Sequence, residues 1–130
     1  MLFILSFILP FCCVPLSPLD AQGIQKSEII FVGELLEKSR DDNKDVHADT
    51  KFHFEVIEAF KGCQRGDIII VRSNEMISTG IHPQIGDKWL LIPYGSESHG
   101  WYTDICSYSS NISKKRAMKD LRFLRRQSSK

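Results

Sequence analysis

The segment Lys51-Phe-His-Phe-Glu-Val-Ile-Glu-Ala-Phe60 decides the fold class. Phe52, Phe54 and Val56 alternate with Lys51, His53 and Glu55, the period of two that a half-buried strand requires. Ile57 breaks the alternation, which predicts a bulge, and Lys61-Gly62 ends the strand. Upstream, Glu28 to Lys38 reads as a second strand around Ile29-Ile-Phe-Val32, with Gly33 marking another bulge or bend. The polar stretch from Arg40 to Thr50 is the loop between them.

Three further strands follow. Ile68 to Val71 is an unbroken run of β-branched residues, as expected of a strand buried on both faces. Lys88 to Tyr94 carries Trp89-Leu-Leu-Ile92 and is stopped by Pro93, and Trp101 to Cys106 is short. Ser73 to Asp87, with Gly80, Pro83 and Gly86, is loop. Helices flank the strands. Ser17-Pro18-Leu19-Asp20 is a helix start, with Ser17 able to cap, and Gly23 interrupts the helix. Ser113 to Gln127 is a longer helix with Ala117, Leu121 and Leu124 on one face. Five bulged strands between two helices predict a mainly β protein, a five-stranded OB-type Greek-key barrel. Its expected core is Phe54, Val56, Ile69, Val71, Leu90 and Ile92.

The composition fits one domain. The chain has 130 residues, 42% hydrophobic and 25% charged, which excludes collagen-like, coiled-coil and polytopic membrane chains. Net charge is +1, but it is unevenly spread. From Ile112 to Lys130 eight basic residues face one acid, Asp120, a net +7; the other nine basic and fifteen acidic residues leave −6. A basic helix on an acidic body argues against nucleic acid as partner and for an anionic membrane or polysaccharide at the helix. Lys115, Arg122 and Arg126 are the candidate anion-binding residues. The reading the pattern favours over that one is a solvated helix face over Leu121 and Leu124.

The apolar start, MLFILSFILPFCCVPL, matches the h-region of an export signal and is too short to span a bilayer. Residues 1–12 are therefore expected to be a leader and 13–127 the domain. The alternatives are a buried N-terminal strand or a leader whose own start is missing. Pro10 and Phe11 before Cys12 argue against lipidation. Export makes Cys12, Cys13, Cys63 and Cys106 candidates for disulfides, with long-range pairs favoured over a strained Cys12–Cys13 bond.

Catalytic and metal signatures are weak. The loop Arg40-Asp-Asp-Asn-Lys-Asp-Val-His-Ala-Asp49 resembles a calcium loop at Asp41, Asn43, Asp45 and Asp49. It has Val46 where glycine is needed and Phe52 where a glutamate is needed. His47, His53, His82 and His99 are scattered, with no zinc spacing, nucleophile elbow or phosphate loop. No cofactor, metal or enzymatic activity is expected. Asn111-Ile112-Ser113 is a glycosylation sequon that matters only in a eukaryote.

Several segments, in order, resemble netrin-like domains, and most of all bacterial relatives of the tissue inhibitors of metalloproteinases. They are Cys13-Val-Pro-Leu-Ser-Pro-Leu-Asp-Ala21, Ser27-Glu-Ile-Ile-Phe-Val-Gly33, Phe54-Glu-Val56 with Lys61-Gly62, Gly86-Asp-Lys-Trp-Leu-Leu91, Thr103-Asp-Ile-Cys-Ser107 and Ala117-Met-Lys-Asp-Leu121. The resemblance covers roughly residues 13 to 125. It implies an OB-fold barrel with flanking helices, secreted, periplasmic or cell-surface, with no catalysis. It also implies a protein partner, a metalloproteinase in the inhibitors, met by an edge at Cys12, Cys13 and Val14. Inhibition in that family needs a free N-terminal cysteine amine, and Phe11 is a poor residue to precede the cleavage. Cys12-Cys13 replaces the family's Cys-x-Cys, and Thr79-Gly80 stands where Cys-Gly is usual.

The resemblance further implies a Cys13–Cys106 disulfide from the domain start to the last strand, with Cys63 available to pair with Cys12. Closing so long a loop should stabilise the domain by ~4–5 kcal/mol in the chain-entropy model. Non-reducing peptide mapping should recover the Cys13–Cys106 linkage; both thiols alkylated in the native, unreduced protein would refute it.

Overall fold

The computed structural model describes residues 19–40, 50–73, 80–104 and 108–128. It is mainly β: one curled seven-stranded sheet, a half-barrel, with a short helix before it and a longer one after it. The elements are α1 (Ala21–Lys26), β1 (Ile30–Arg40), β2 (Thr50–Lys61), β3 (Ile68–Ser73), β4 (Lys88–Leu91), β5 (Tyr94–Ser96), β6 (Gly100–Tyr102), β7 (Ser110–Asn111) and α2 (Lys115–Ser128). The strand order is β5-β6-β3-β2-β1-β4-β7. All pairs are antiparallel except β3 with β6.

Seven strands replace the five expected, for two reasons. Pro93 cannot donate to a ladder, so the expected Lys88–Tyr94 strand ends at Leu91 and the chain pairs again as β5. The last expected strand is confined to Gly100–Tyr102 within its described part, and Ser110-Asn111 adds a two-residue partner for β4.

One of the three register shifts in the β1–β2 ladder falls where the sequence breaks its alternation. In the β1–β2 ladder Val32 opposes Glu58 and Gly33 opposes Val56, so Ile57 is the extra residue. A further shift leaves Leu36 unopposed on β1. Gly33 is required by close packing, since a Cβ there would lie 2.8 Å from the Phe31 ring and 2.9 Å from Phe54 Cβ. Gly62, at φ +74°, turns the chain out of β2 where a Cβ would strike the Glu28 carbonyl oxygen.

Two apolar clusters lie on opposite faces of the sheet. The inner one holds Phe31, Leu35, Phe52, Phe54, Val56, Val71, Ile81 and Leu91. The outer one joins Ile30, Val32, Leu90 and Ile92 to Leu121 and Leu124 of α2 and to Leu19. Of the expected core, Phe54, Val56 and Val71 are buried inside the curl. Leu90 and Ile92 are buried too, but on the helix side; the pleat of β4 turns Leu91 inward instead. Ile69 is only partly buried. The β3 run is not covered on both faces, because Ile68 and Ile70 are 53% and 38% exposed. Among the described residues no helix lies over that part of the sheet, since α2 packs across β1 and β4.

The helices differ from expectation at their starts. Asp20, not Ser17, caps α1: its carboxylate accepts the Gly23 N–H at 2.8 Å, and Gly23 lies within the helix. Lys61 Nζ donates to the Ile24 and Gln25 carbonyls at 2.8 and 3.1 Å, satisfying acceptors at the other end. The longer helix begins at Lys115, two residues beyond Ser113, and buries Ala117, Leu121 and Leu124 as expected.

Phe54→Ala, at a fully buried site inside the curl, should cost ~3–5 kcal/mol. Ile68→Thr on the exposed face should change stability by no more than ~0.5 kcal/mol. Urea denaturation of the two variants checks the contrast, and equal losses would mean the sheet faces are reversed.

Candidate functional site

The candidate anion-binding residues Lys115, Arg122 and Arg126 are all exposed on α2. They stand seven and four residues apart, so they share one helical face. Lys119 completes the stripe at the same spacing and is exposed as well. Three- and four-residue spacing alone would have found it. At 1.5 Å per residue the stripe runs about 16 Å along the helix. The side chains of Lys115, Lys119 and Arg122 make no ion pair or hydrogen bond among the described residues.

The other cations of α2 are engaged elsewhere. Arg125 forms a two-pronged ion pair with Glu58 of β2, Nε to Oε2 at 3.0 Å and Nη2 to Oε1 at 2.8 Å. That pairing pushes the Arg125 pKa up and clips the helix to the sheet. Arg116 lies 5.9 Å over the Tyr108 ring. The basic helix is therefore divided: one stripe faces solvent, and the flanking arginines hold the helix down.

The one acid of the basic tail, Asp120, is 1% exposed. Its Oδ1 accepts the Leu19 N–H at 3.0 Å, tying the entry of the domain to its last helix. Oδ2 is buried without a hydrogen-bond partner. Burial pushes the Asp120 carboxyl up, opposed by the Leu19 hydrogen bond and the Arg116 charge. A sequence cannot announce this residue, since an aspartate between Lys119 and Leu121 reads as one more solvated charge.

The other predicted positions divide between described and undescribed residues. Cys12, Cys13, Val14 and Cys106 lie outside the described residues, and with them the Cys13–Cys106 pair, the Cys12–Cys63 pair and the family-type edge. So does the acidic loop from Asp41 to Asp49. Among the described residues Cys63 forms no disulfide; its partly buried thiol is pushed up to about 11 by burial and by Asp67, so as a thiol it stays protonated near neutral pH. His53 Nε2 and Ser39 Oγ are 3.1 Å apart on the outer sheet face. Among the described residues, no three His, Cys, Asp or Glu side chains converge on a metal position. No described helix is long and apolar enough to cross a membrane.

An aromatic feature was missed by the sequence reading. Tyr94 of β5 opposes Tyr102 of β6, their rings 6.2 Å apart and 22° from parallel, and Tyr102 in turn opposes Arg72 of β3. The Arg72 guanidinium lies 6.0 Å from the Tyr102 ring. Register makes this row, and register across the parallel β3–β6 pair is not written in either segment alone.

No protein-family model matches this chain, and comparison with curated proteins finds no relative.

Because the folded pKa of Asp120 is raised, the folded state holds its proton to higher pH than the unfolded chain does. Its contribution to stability is present below about pH 4 and is lost as pH rises through the raised value. Asp120→Asn should flatten that fall, which urea unfolding from about pH 4 to 7 would read. An unchanged slope would show that the carboxyl titrates normally.

Proposed function

We propose that this protein is an exported, non-enzymatic binding domain on an OB-type barrel, and that its working surface is the basic stripe of α2. The stripe carries the reading: Lys115, Lys119, Arg122 and Arg126 on one exposed face, on a helix anchored by Leu121, Leu124 and the Arg125–Glu58 pair. A helix that binds by inserting into a bilayer must offer an apolar face. Here that face is already buried on the sheet, so attraction must come from charge alone. Charge on a fixed, nearly straight line suits a polyanion, and an acidic polysaccharide is the ligand class we favour over a membrane.

The strand order supports the OB-type part of the reading. Without β7, and with β4 and β5 counted as one strand bent at Pro93, five strands remain. Their first and fourth members pair, and the third pairs in parallel with the last. That connectivity is the Greek-key arrangement of OB barrels. It is also what favours the second reading, a netrin-like module that meets a protein partner, a metalloproteinase among them, through Cys12, Cys13 and Val14. In that reading α2 is a solvated lid.

Binding to heparin and to phosphatidylglycerol vesicles separates the readings. The stripe predicts heparin retention that weakens sharply with salt, since exposed charges are screened within ~8 Å at physiological ionic strength. Replacing Lys115, Arg122 and Arg126 with Ser should abolish retention and shift stability by no more than ~0.5 kcal/mol per site. Leu121→Ala should instead cost ~2–5 kcal/mol. No retention at low salt would overturn the stripe and leave the N-terminal edge.

A further inference from the structure

The row of stacked side chains on the outer sheet ends beside a cleft. Tyr94 stands on the edge strand β5, with Tyr102 against one side of its ring and 54% of its surface exposed. It lines a recess of about 390 Å³ at the corner between β4 and β5. Tyr108 lines the same recess, and Arg116 lies over its ring. Pro93 and Ile92 contribute apolar surface, and Lys26 and Glu28 contribute polar groups. The recess is thus lined by two tyrosines, Tyr94 and Tyr108, each in contact with another planar side chain, Tyr102 and Arg116.

Tyr94 is held twice: by its stack on Tyr102, and by its hydroxyl, which donates to Asp104 Oδ2 at 3.3 Å. Burial and Asp104 both push the Tyr94 phenol up, so it remains a donor at neutral pH. A site that is already rigid loses little conformational freedom when a ligand arrives. Its volume lies within the ordinary range for small-ligand sites, roughly 300–1,000 Å³.

We propose that the recess between Tyr94 and Tyr108 binds a neutral pyranose unit of a glycan. A pyranose ring has faces of C–H bonds and edges of hydroxyl groups. Its C–H faces carry slight positive charge and pack on the electron-rich faces of aromatic rings. Its hydroxyls need both donors and acceptors at the rim, which the Lys26 ammonium and the Glu28 carboxylate supply. A nucleotide would bring its phosphate toward Glu28, which repels it. A proline-rich segment would use the aromatic walls but leave the charged pair without partners. The site is separate from the α2 stripe: it recognises uncharged sugar, so its affinity is independent of salt.

The test is titration of the full chain with cellohexaose, chitohexaose and maltohexaose, followed by the ring-proton NMR shifts of the tyrosines. At least one oligosaccharide should shift Tyr94 and Tyr108 saturably, with an affinity unchanged between roughly 0.05 and 0.5 M salt. Tyr94→Ala and Tyr108→Ala should each weaken binding by about tenfold, the effect of losing one aromatic contact. Tyr94→Phe, which keeps the ring, should retain binding and guards against a misfolded alanine variant. The proposal is overturned if none of the three sugars shifts these rings. It is also overturned if Tyr94→Ala binds as well as the parent, or if deca-proline shifts the rings in their place.

Discussion

Ile92 and Pro93 alone join β4 to β5, yet β4 pairs with β1 on one side of the sheet and β5 with β6 on the other. With only two residues between them, Leu91 and Tyr94 can be at most about 11 Å apart, so the two regions of the sheet must approach one another. The curl of the sheet follows from that short link. Pro93 fits the corner because it ends one ladder without leaving an unpaired amide. Once the sheet curls, one face of β1, β2 and β3 closes on itself, and Phe31, Phe52 and Phe54 fill the concavity. The opposite face of β1 and β4 is left apolar and needs a cover.

That cover is α2, and its fit explains the second cluster. Ile30, Val32, Leu90 and Ile92 face outward because the pleat alternates, while Phe31 and Leu91 face inward. The bulge at Ile57 turns β2 so that Ile57 and Phe60 join the outer cluster, where Leu121 and Leu124 meet them. The Arg125–Glu58 pair and the Asp120–Leu19 hydrogen bond fix the helix along and across the sheet. Buried carboxylates are costly, and the cost at Asp120 is offset by the Leu19 N–H and the Arg116 charge.

Local signals in the sequence were enough for the long strands and for the helix face, and insufficient wherever register decided the outcome. Phe52, Phe54 and Val56 alternate over a long strand, and Ala117, Leu121 and Leu124 recur with helical spacing, so their burial is legible. The bulge at Ile57 is legible for the same reason. The β3 run is different: Ile68 to Val71 has no internal alternation, so nothing local reveals that Ile68 and Ile70 lack a covering layer. Leu90, Leu91 and Ile92 are equally apolar, and only pairing with β1 decides which of them faces the helix. The basic stripe could be counted in the sequence, but the diversion of Arg125 to Glu58 spans 67 residues and could not. The tyrosine row depends on two ladders at once and was invisible for that reason.

The basic surface follows from the packing of the core. A fourteen-residue helix can turn one face to the sheet and leave the rest in water. Leu121 and Leu124 take the buried face, and Arg125 is drawn to Glu58 at its margin. The residues left at the opposite margin, Lys115, Lys119, Arg122 and Arg126, are all basic. Four like charges on successive turns repel one another by a few tenths of a kcal/mol per pair, which a solvated lid could avoid by mixing in acids. The body of the chain has fifteen acids, and the only one in the tail, Asp120, is buried rather than placed among the lysines. A stripe that keeps its repulsion has the strongest pull on a linear anion, because ligand charge relieves every pair at once. Helix packing and stripe electrostatics are thus two consequences of one orientation, fixed where Leu121 and Leu124 enter the outer cluster.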